Sequence, residues 1–177
     1  GEEGNTEGKT RGLVTKEELA YIAGFLDGDG CVMLQLIYRH DYALGYQIRA
    51  SIVFYQKQQN RQFLEWLKIK LVDGYIRNRN DGMSEYTIVG IKAVTNLLSQ
   101  LQPYLRLKKE QTAIARAVLA QMPGNGRAMK PATLLRLANE VDKFAHLNYS
   151  KKRTNTAHVV KEFLTSHNLL DPVETDP

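Results

Sequence analysis

The stretch Leu19-Ala20-Tyr21-Ile22-Ala23-Gly24-Phe25-Leu26-Asp27-Gly28-Asp29-Gly30 constrains the fold more than any other. Just before it, Thr15-Lys16-Glu17-Glu18 has the form of a capping box, so a helix starts at Thr15. The glycines at 28 and 30 stop it. Leu19, Ile22 and Leu26 recur at helical spacing and form the expected buried stripe. Gly24 in mid-helix costs about 1 kcal/mol relative to alanine and needs a compensating reason. Ala20 and Gly24 lie one turn apart, with Ala23 and Asp27 beside them, and so bare a face lets another helix approach closely. Asp27 and Asp29 are then carried to the end of the helix pair. The expectation is a helix interface whose far end presents acid to a cation.

The remaining composition is that of a globular chain. The 177 residues carry a net charge of +5 and a sequence pI of about 9.3, which favours a polyanionic partner. Cys31 is the only cysteine, which excludes an internal disulfide and suits a reducing, intracellular setting. No apolar run approaches the ~20 residues of a membrane span, and no membrane partner is expected. Residues 1–14, rich in Gly, Glu and Thr, are expected to form a disordered tail resembling neither a secretory signal nor a transit peptide. A single domain over 15–168 and a flexible tail over 169–177 complete the expected organisation.

Beyond the helix the periodicity changes to two. From Cys31 to Arg39, Val32, Leu34 and Leu36 alternate with Met33, Gln35, Ile37 and Arg39. After a loop over 40–45 containing Tyr42, a second strand over about 46–54 alternates Ile48, Ala50, Ile52 and Phe54 with Gln47, Arg49, Ser51 and Val53. The polar faces hold Gln and Arg, the side chains that pair bidentately with base edges. Gln56 to Arg61 opens a second helix burying Phe63, Leu64, Trp66 and Leu67. Asp81-Gly82 signals a second hairpin, on which Arg77, Arg79, Glu85 and Thr87 share a face. Helices follow over about 93–101, 105–122, from 131 and over 155–167. The result is a mixed α/β arrangement with one antiparallel sheet and helices on its other face.

Ile22 to Gly30 resembles the signature of the LAGLIDADG homing endonucleases, and the chain is similar to their single-motif, homodimeric members encoded in organellar group I introns. Further matches are Gln56-Lys57, Gly74 to Arg79, Leu101 to Lys108 and Leu147 to Lys151. The resemblance implies an α+β fold of order αββαββα, with a saddle-shaped antiparallel sheet in the DNA major groove and helices on one face. It implies hydrolysis of both strands of a long pseudo-palindromic duplex, leaving 3′ overhangs, in an organelle. Magnesium is the implied cofactor, with manganese as a substitute and calcium binding without cleavage; no small-molecule cofactor is expected.

By the same resemblance, Asp29 and the Gly28 carbonyl bind metal, Gln56 orders water and Lys108 stabilises charge at the scissile phosphate. Relatives carry an arginine four residues after the glutamine where this chain has Asn60, and the adjacent Arg61 is the candidate replacement in the catalytic set. Gln35, Arg39, Tyr42, Gln47, Arg49, Arg77, Arg79 and Glu85 are the base-reading candidates, with Arg39 and Tyr42 in a flexible tip. Ser150, Lys151, Lys152 and Arg153 are candidate phosphate contacts. Ala20, Ala23, Gly24 and Asp27 form the candidate dimer interface. An intron-RNA maturase and a non-cleaving sequence-specific DNA-binding protein are the alternatives. Changing Lys151 and Lys152 together to Ala should weaken binding to all duplexes alike and flatten its salt dependence, measured by titration across ionic strengths. Altered sequence preference would contradict the phosphate assignment.

Overall fold

The structure, a computed structural model, describes residues 14–124, 127–148 and 153–170. The capping box forms: the Glu18 N–H donates to Thr15 Oγ1 at 3.0 Å and the Thr15 N–H to Glu18 Oε1 at 3.1 Å. The first helix, α1, accordingly runs Lys16–Asp29. Strands β1 (Gly30–Tyr38) and β2 (Tyr46–Lys57), helix α2 (Arg61–Leu71), strands β3 (Tyr75–Asn78) and β4 (Met83–Val89), and helix α3 (Ile91–Leu101) follow. Helices α4 (Lys109–Ala120), α5 (Pro131–Leu147) and α6 (Ala157–Ser166) complete the described chain. The sheet order is β1-β2-β4-β3, with β4 antiparallel to both neighbours. The hairpin expected at Asp81-Gly82 is the β3–β4 turn.

The chain divides into two compact units. The first gathers the described residues of Gly1–Met33 and Ser51–Lys109. Its core stacks Phe25 on Phe54 and Phe54 on Tyr86, with ring centroids 5.9 and 6.0 Å apart. Ile22, Leu26, Leu64, Leu67, Ile88 and Leu98 are fully buried around them. Burying such side chains contributes roughly 1.5–3 kcal/mol each. The Tyr86 hydroxyl is satisfied by donating to the Asp73 carbonyl.

The second unit gathers the described residues of Leu34–Ala50 and Glu110–Pro177. Here Leu34, Leu36, Ile48 and Ala50 are buried, as are Leu137, Val141 and Phe144 of α5 and Val160 and Leu164 of α6. Asp142 receives the Ala157 N–H at 3.1 Å and Arg153 Nη1 at 2.7 Å, which satisfies the start of α6. At the hairpin tip Gly45 has φ +79°, and a Cβ there would come within 2.5 Å of the Phe163 ring. The position requires glycine on both counts.

Three expectations need correction. The strict alternation of β2 stops at Ala50: Ser51 and Val53, assigned to the polar face, are both 4% exposed. A strand covered on both faces loses its period-two signature. In α2, Phe63 and Trp66 are only half-buried, while Leu64, Leu67 and Leu71 face the core. Helix α4 starts at Lys109 rather than near Leu105, because the N–H groups of 106–108 bond to Asp27 instead. Among the described residues no helix is long and apolar enough to cross a membrane.

The cap also makes a pH prediction. The Thr15 N–H and the Lys70 ammonium, 3.1 Å from Glu18 Oε2, hold the Glu18 carboxyl below its ordinary value. A depressed folded pKa contributes stability above the unfolded value of about 4.3 and loses it as pH falls through the folded value. Glu18→Gln should therefore flatten the acid limb of stability against pH, followed by denaturant unfolding between neutral and acid pH. An unchanged acid limb would contradict the assignment.

Candidate active site

Helix α1 ends by running its last turn out of the core. Leu26 is fully buried, Asp27 half-buried, and Gly28 and Asp29 are exposed. The carboxylate of Asp29 thus stands in solvent at the end of a helix, where the last carbonyls point outward and carry partial negative charge. That end is an oxygen-rich, cation-attracting position. One cation from the chain itself is already placed there: Lys108 Nζ donates to the Asp27 carbonyl at 2.9 Å. The segment carrying the lysine is held by the Asp27 side chain, which accepts the backbone N–H groups of Arg106, Leu107 and Lys108 at 2.7, 3.2 and 3.0 Å. Asp29 and Lys108 are therefore gathered at one helix end. The role of Asp27 was not legible, since its partners lie 79 to 81 residues away.

Asp27 and Ala23 also require correction as interface residues. Ala23 is 0% exposed, in the middle of the Ile22–Leu26 stripe. At 100° per residue it sits on the buried side, while Glu17, Ala20, Tyr21, Gly24 and Gly28 share the exposed one. A Cβ built on Gly24 meets nothing within 4 Å, so packing within the described chain does not explain that glycine. Beside this face lies an aromatic group missed in the sequence: Tyr21, 59% exposed, packs edge-on against Phe63 and Trp66 at 6.0 and 6.4 Å. The signal was present in Phe63 and Trp66 at helical spacing, but it was assigned to the core.

Gln56 lies within β2, near its end, and its Oε1 accepts from Asn60 Nδ2 at 3.0 Å. Both line a hollow with Tyr21, Phe25, Gln59, Gln62 and Phe63. Arg61 does not join them. Its guanidinium donates to Asn78 Oδ1 at 2.6 Å and to Glu65 Oε2 at 3.3 Å, and it lines a different hollow with Lys68, Ile69 and Tyr75. Asn60 ends the short turn before α2 and Arg61 begins that helix, and their side chains take different partners, so Arg61 does not replace the missing basic group beside Gln56. Asn60, which stands at that position, bonds to the glutamine instead.

The expected reading residues are exposed strand or tip positions, except Tyr42 and Glu85, which are half-buried. In the first unit Arg77 and Glu85 face each other across β3 and β4 and form an ion pair, which raises the Arg77 pKa. The Glu85 side chain is 12% exposed, so it presents less surface than expected. Arg79 pairs with Asp81 at 2.8 Å. In the second unit Gln35, Gln47 and Arg49 are exposed while their strand neighbours Leu34, Leu36, Ile48 and Ala50 are buried. Arg39 grips Asp41 with two hydrogen bonds of 3.0 Å and lies over the Tyr42 ring at 5.4 Å. The tip expected to be flexible is knit further by hydrogen bonds among Arg39, Tyr42 and Gly45. Arg153 is tied to Asp142, whereas Ser150, Lys151 and Lys152 lie outside the described residues.

These features define an α+β chain built on an acid-tipped helix. It belongs to the LAGLIDADG endonuclease family, whose model matches residues 22–116. It is 37% identical to the DNA endonuclease I-CvuI of Chlorella vulgaris over 83% of this chain and 89% of that one. It is 36% identical to the DNA endonuclease I-CreI of Chlamydomonas reinhardtii over 85% and 91%. The crystal structure of the homing endonuclease I-CvuI with its target in the presence of calcium matches with a TM-score of 0.82, covering 88% of this chain and 98% of that one at 35% identity. A second I-CvuI structure, with the I-CreI target and magnesium, holds uncleaved DNA. The archaeal intron-encoded homing endonuclease I-Vdi141I, complexed with DNA, matches at a TM-score of 0.75 over 87% of this chain and 98% of that one. At 19% identity this likeness concerns the fold alone.

Proposed function

We propose that this protein is a site-specific double-stranded DNA endonuclease, acting as a homodimer with magnesium on a long pseudo-palindromic target and leaving 3′ overhangs. The observation that carries the reading is the meeting of an exposed acid, Asp29, and a tethered lysine, Lys108, at one helix end. Family membership and the relatives named as DNA endonucleases support it. The basic balance of the chain and the Gln and Arg strand faces suit a DNA duplex. An organellar intron as the protein's origin is part of the same proposal.

The donor set fits a hard cation. Asp29 offers an exposed carboxylate and Gly28 a helix-end carbonyl, the oxygen ligands that magnesium takes together with waters and phosphates. Among the described residues no three His, Cys, Asp or Glu side chains are grouped to hold an ion, so each copy would supply one carboxylate. When bound, the ion supplies charge that stabilises the scissile phosphate and favours an activated water. The chain's own groups do the rest. Gln56, steadied by Asn60, orients water by hydrogen bonding, and Lys108 holds positive charge beside the phosphate. Gln35, Gln47, Arg49 and Arg77 read base edges, and Arg39 and Arg79 do so from the hairpin tips. Asp41, Glu85 and Asp81 fix the three ion-paired arginines in advance, which lowers the ordering cost of binding.

The exposed face of α1 suits a second copy of the chain. Gly24 leaves open space beside Ala20, and Tyr21, Phe63 and Trp66 extend the patch with apolar area. Because a Cβ at 24 meets nothing within 4 Å among the described residues, Gly24→Leu should leave folding intact while weakening self-association, measured by sedimentation equilibrium and circular dichroism. An unchanged dimer would contradict the interface. Asp29→Asn should abolish cleavage while retaining specific DNA binding, measured with magnesium on a duplex selected by wild-type cleavage from a randomised library. Cleavage by the pure variant at the wild-type rate would overturn the metal assignment.

A further inference from the structure

Asp27 has both carboxylate oxygens engaged by one short segment. Oδ2 accepts the N–H groups of Arg106 and Leu107, and Oδ1 accepts that of Lys108. Three consecutive N–H groups around one carboxylate make an anion-binding nest with charge-assisted hydrogen bonds. The side chains around it give the segment little other hold. Leu105 is buried at 2% exposure, but Leu107 is 76% exposed, Arg106 is exposed, and α4 begins only at Lys109. Hydrophobic anchoring thus ends three residues before the lysine. From there the backbone is fixed to α1 by Asp27, and the ammonium returns to the Asp27 carbonyl.

We propose that Asp27 is the positioning residue for Lys108: it docks the lysine-bearing segment onto the helix end that presents Asp29. The inference rests on the nuclease reading for its kinetic consequence and on geometry for its structural one. Asp27 and Asp29 are two residues apart on a single rigid helix, so the spacing of acid and lysine is set at one place. Asparagine at 27 would keep one acceptor and replace the other with an NH2 group that faces a backbone donor. The nest cannot close around it. Misplacement of a reacting group by about 1 Å costs on the order of a hundredfold in rate.

The test is a double-mutant cycle on the full-length chain. Asp27→Asn should lower single-turnover cleavage with magnesium by about ten- to a hundredfold. Affinity for the same duplex in calcium should stay within about threefold. In a Lys108→Met background, Asp27→Asn should cost less than about threefold more. A merely structural role would predict additive losses, and additivity would overturn the proposal. Hydrogen exchange gives a readout independent of cleavage: the amides of 106–108 should be protected in the wild type and exchange at least about tenfold faster in Asp27→Asn. Unchanged protection would overturn it even where the wild type cleaves. A wild type that fails to cleave would refute the nuclease reading instead, and the exchange result would still decide the role of Asp27. If Asp27→Asn does not fold, Asp27→Glu, which keeps the charge but moves it by one methylene, runs the same cycle. Failure of both to fold would overturn the proposal, since Asp27 would then hold the fold rather than the lysine.

Discussion

Helix α1 has to bury one stripe, leave another bare and end in acid, and the 3.6-residue turn decides which residue does which. Ile22, Ala23 and Leu26 point into the core at 0% exposure, while Ala20, Gly24 and Gly28 lie on the open side. The same rotation brings Asp27 inward enough to hold the 106–108 segment and leaves Asp29 in solvent. Moving the helix register by one residue would exchange these roles. The capping box that fixes its start therefore also sets the position of its acidic end.

The charges at that end are arranged rather than merely accumulated. Helix carbonyls, the Asp27 carboxylate and the Asp29 carboxylate together concentrate negative charge. Three backbone N–H groups and the Lys108 ammonium offset part of it within the first unit. The charge left exposed is that of Asp29. A comparable arrangement holds on the hairpins, where Arg39, Arg77 and Arg79 each carry a carboxylate partner from their own hairpin. Such pairs at partly exposed positions add little stability. They do restrict where each guanidinium points, which matters for a surface meant to match a ligand.

Local chemistry made much of this legible from residues alone. Thr15 with Glu18, Asp81 with Gly82, and the alternation of Gln35, Gln47 and Arg49 against Leu34, Ile48 and Ala50 are short-range signals, and each appears in the structure. What escaped depends on distant partners. Nothing around Asp27 announces donors some eighty residues on. Ser51 reads as a polar-face residue until its strand is found covered on both sides. Arg61 is adjacent to Asn60 in sequence, yet its bond to Asn78 commits it elsewhere. Ala23 belongs to a small-residue run by composition and to the core by angle. For Asp27, Ser51 and Arg61 the missing information was a tertiary contact, whereas for Ala23 it was the helical angle shared with Ile22 and Leu26.

The proposed dimer would bring two copies of α1 together through their bare faces and present two Asp29 carboxylates to metal at the cleavage point. A crystal structure of the full chain with its selected duplex and calcium tests it most directly. The expected result is two copies per duplex, with metal density about 2.3–2.6 Å from an Asp29 oxygen of each copy at the apposed helix ends. One copy per duplex, or metal held without Asp29, would contradict it.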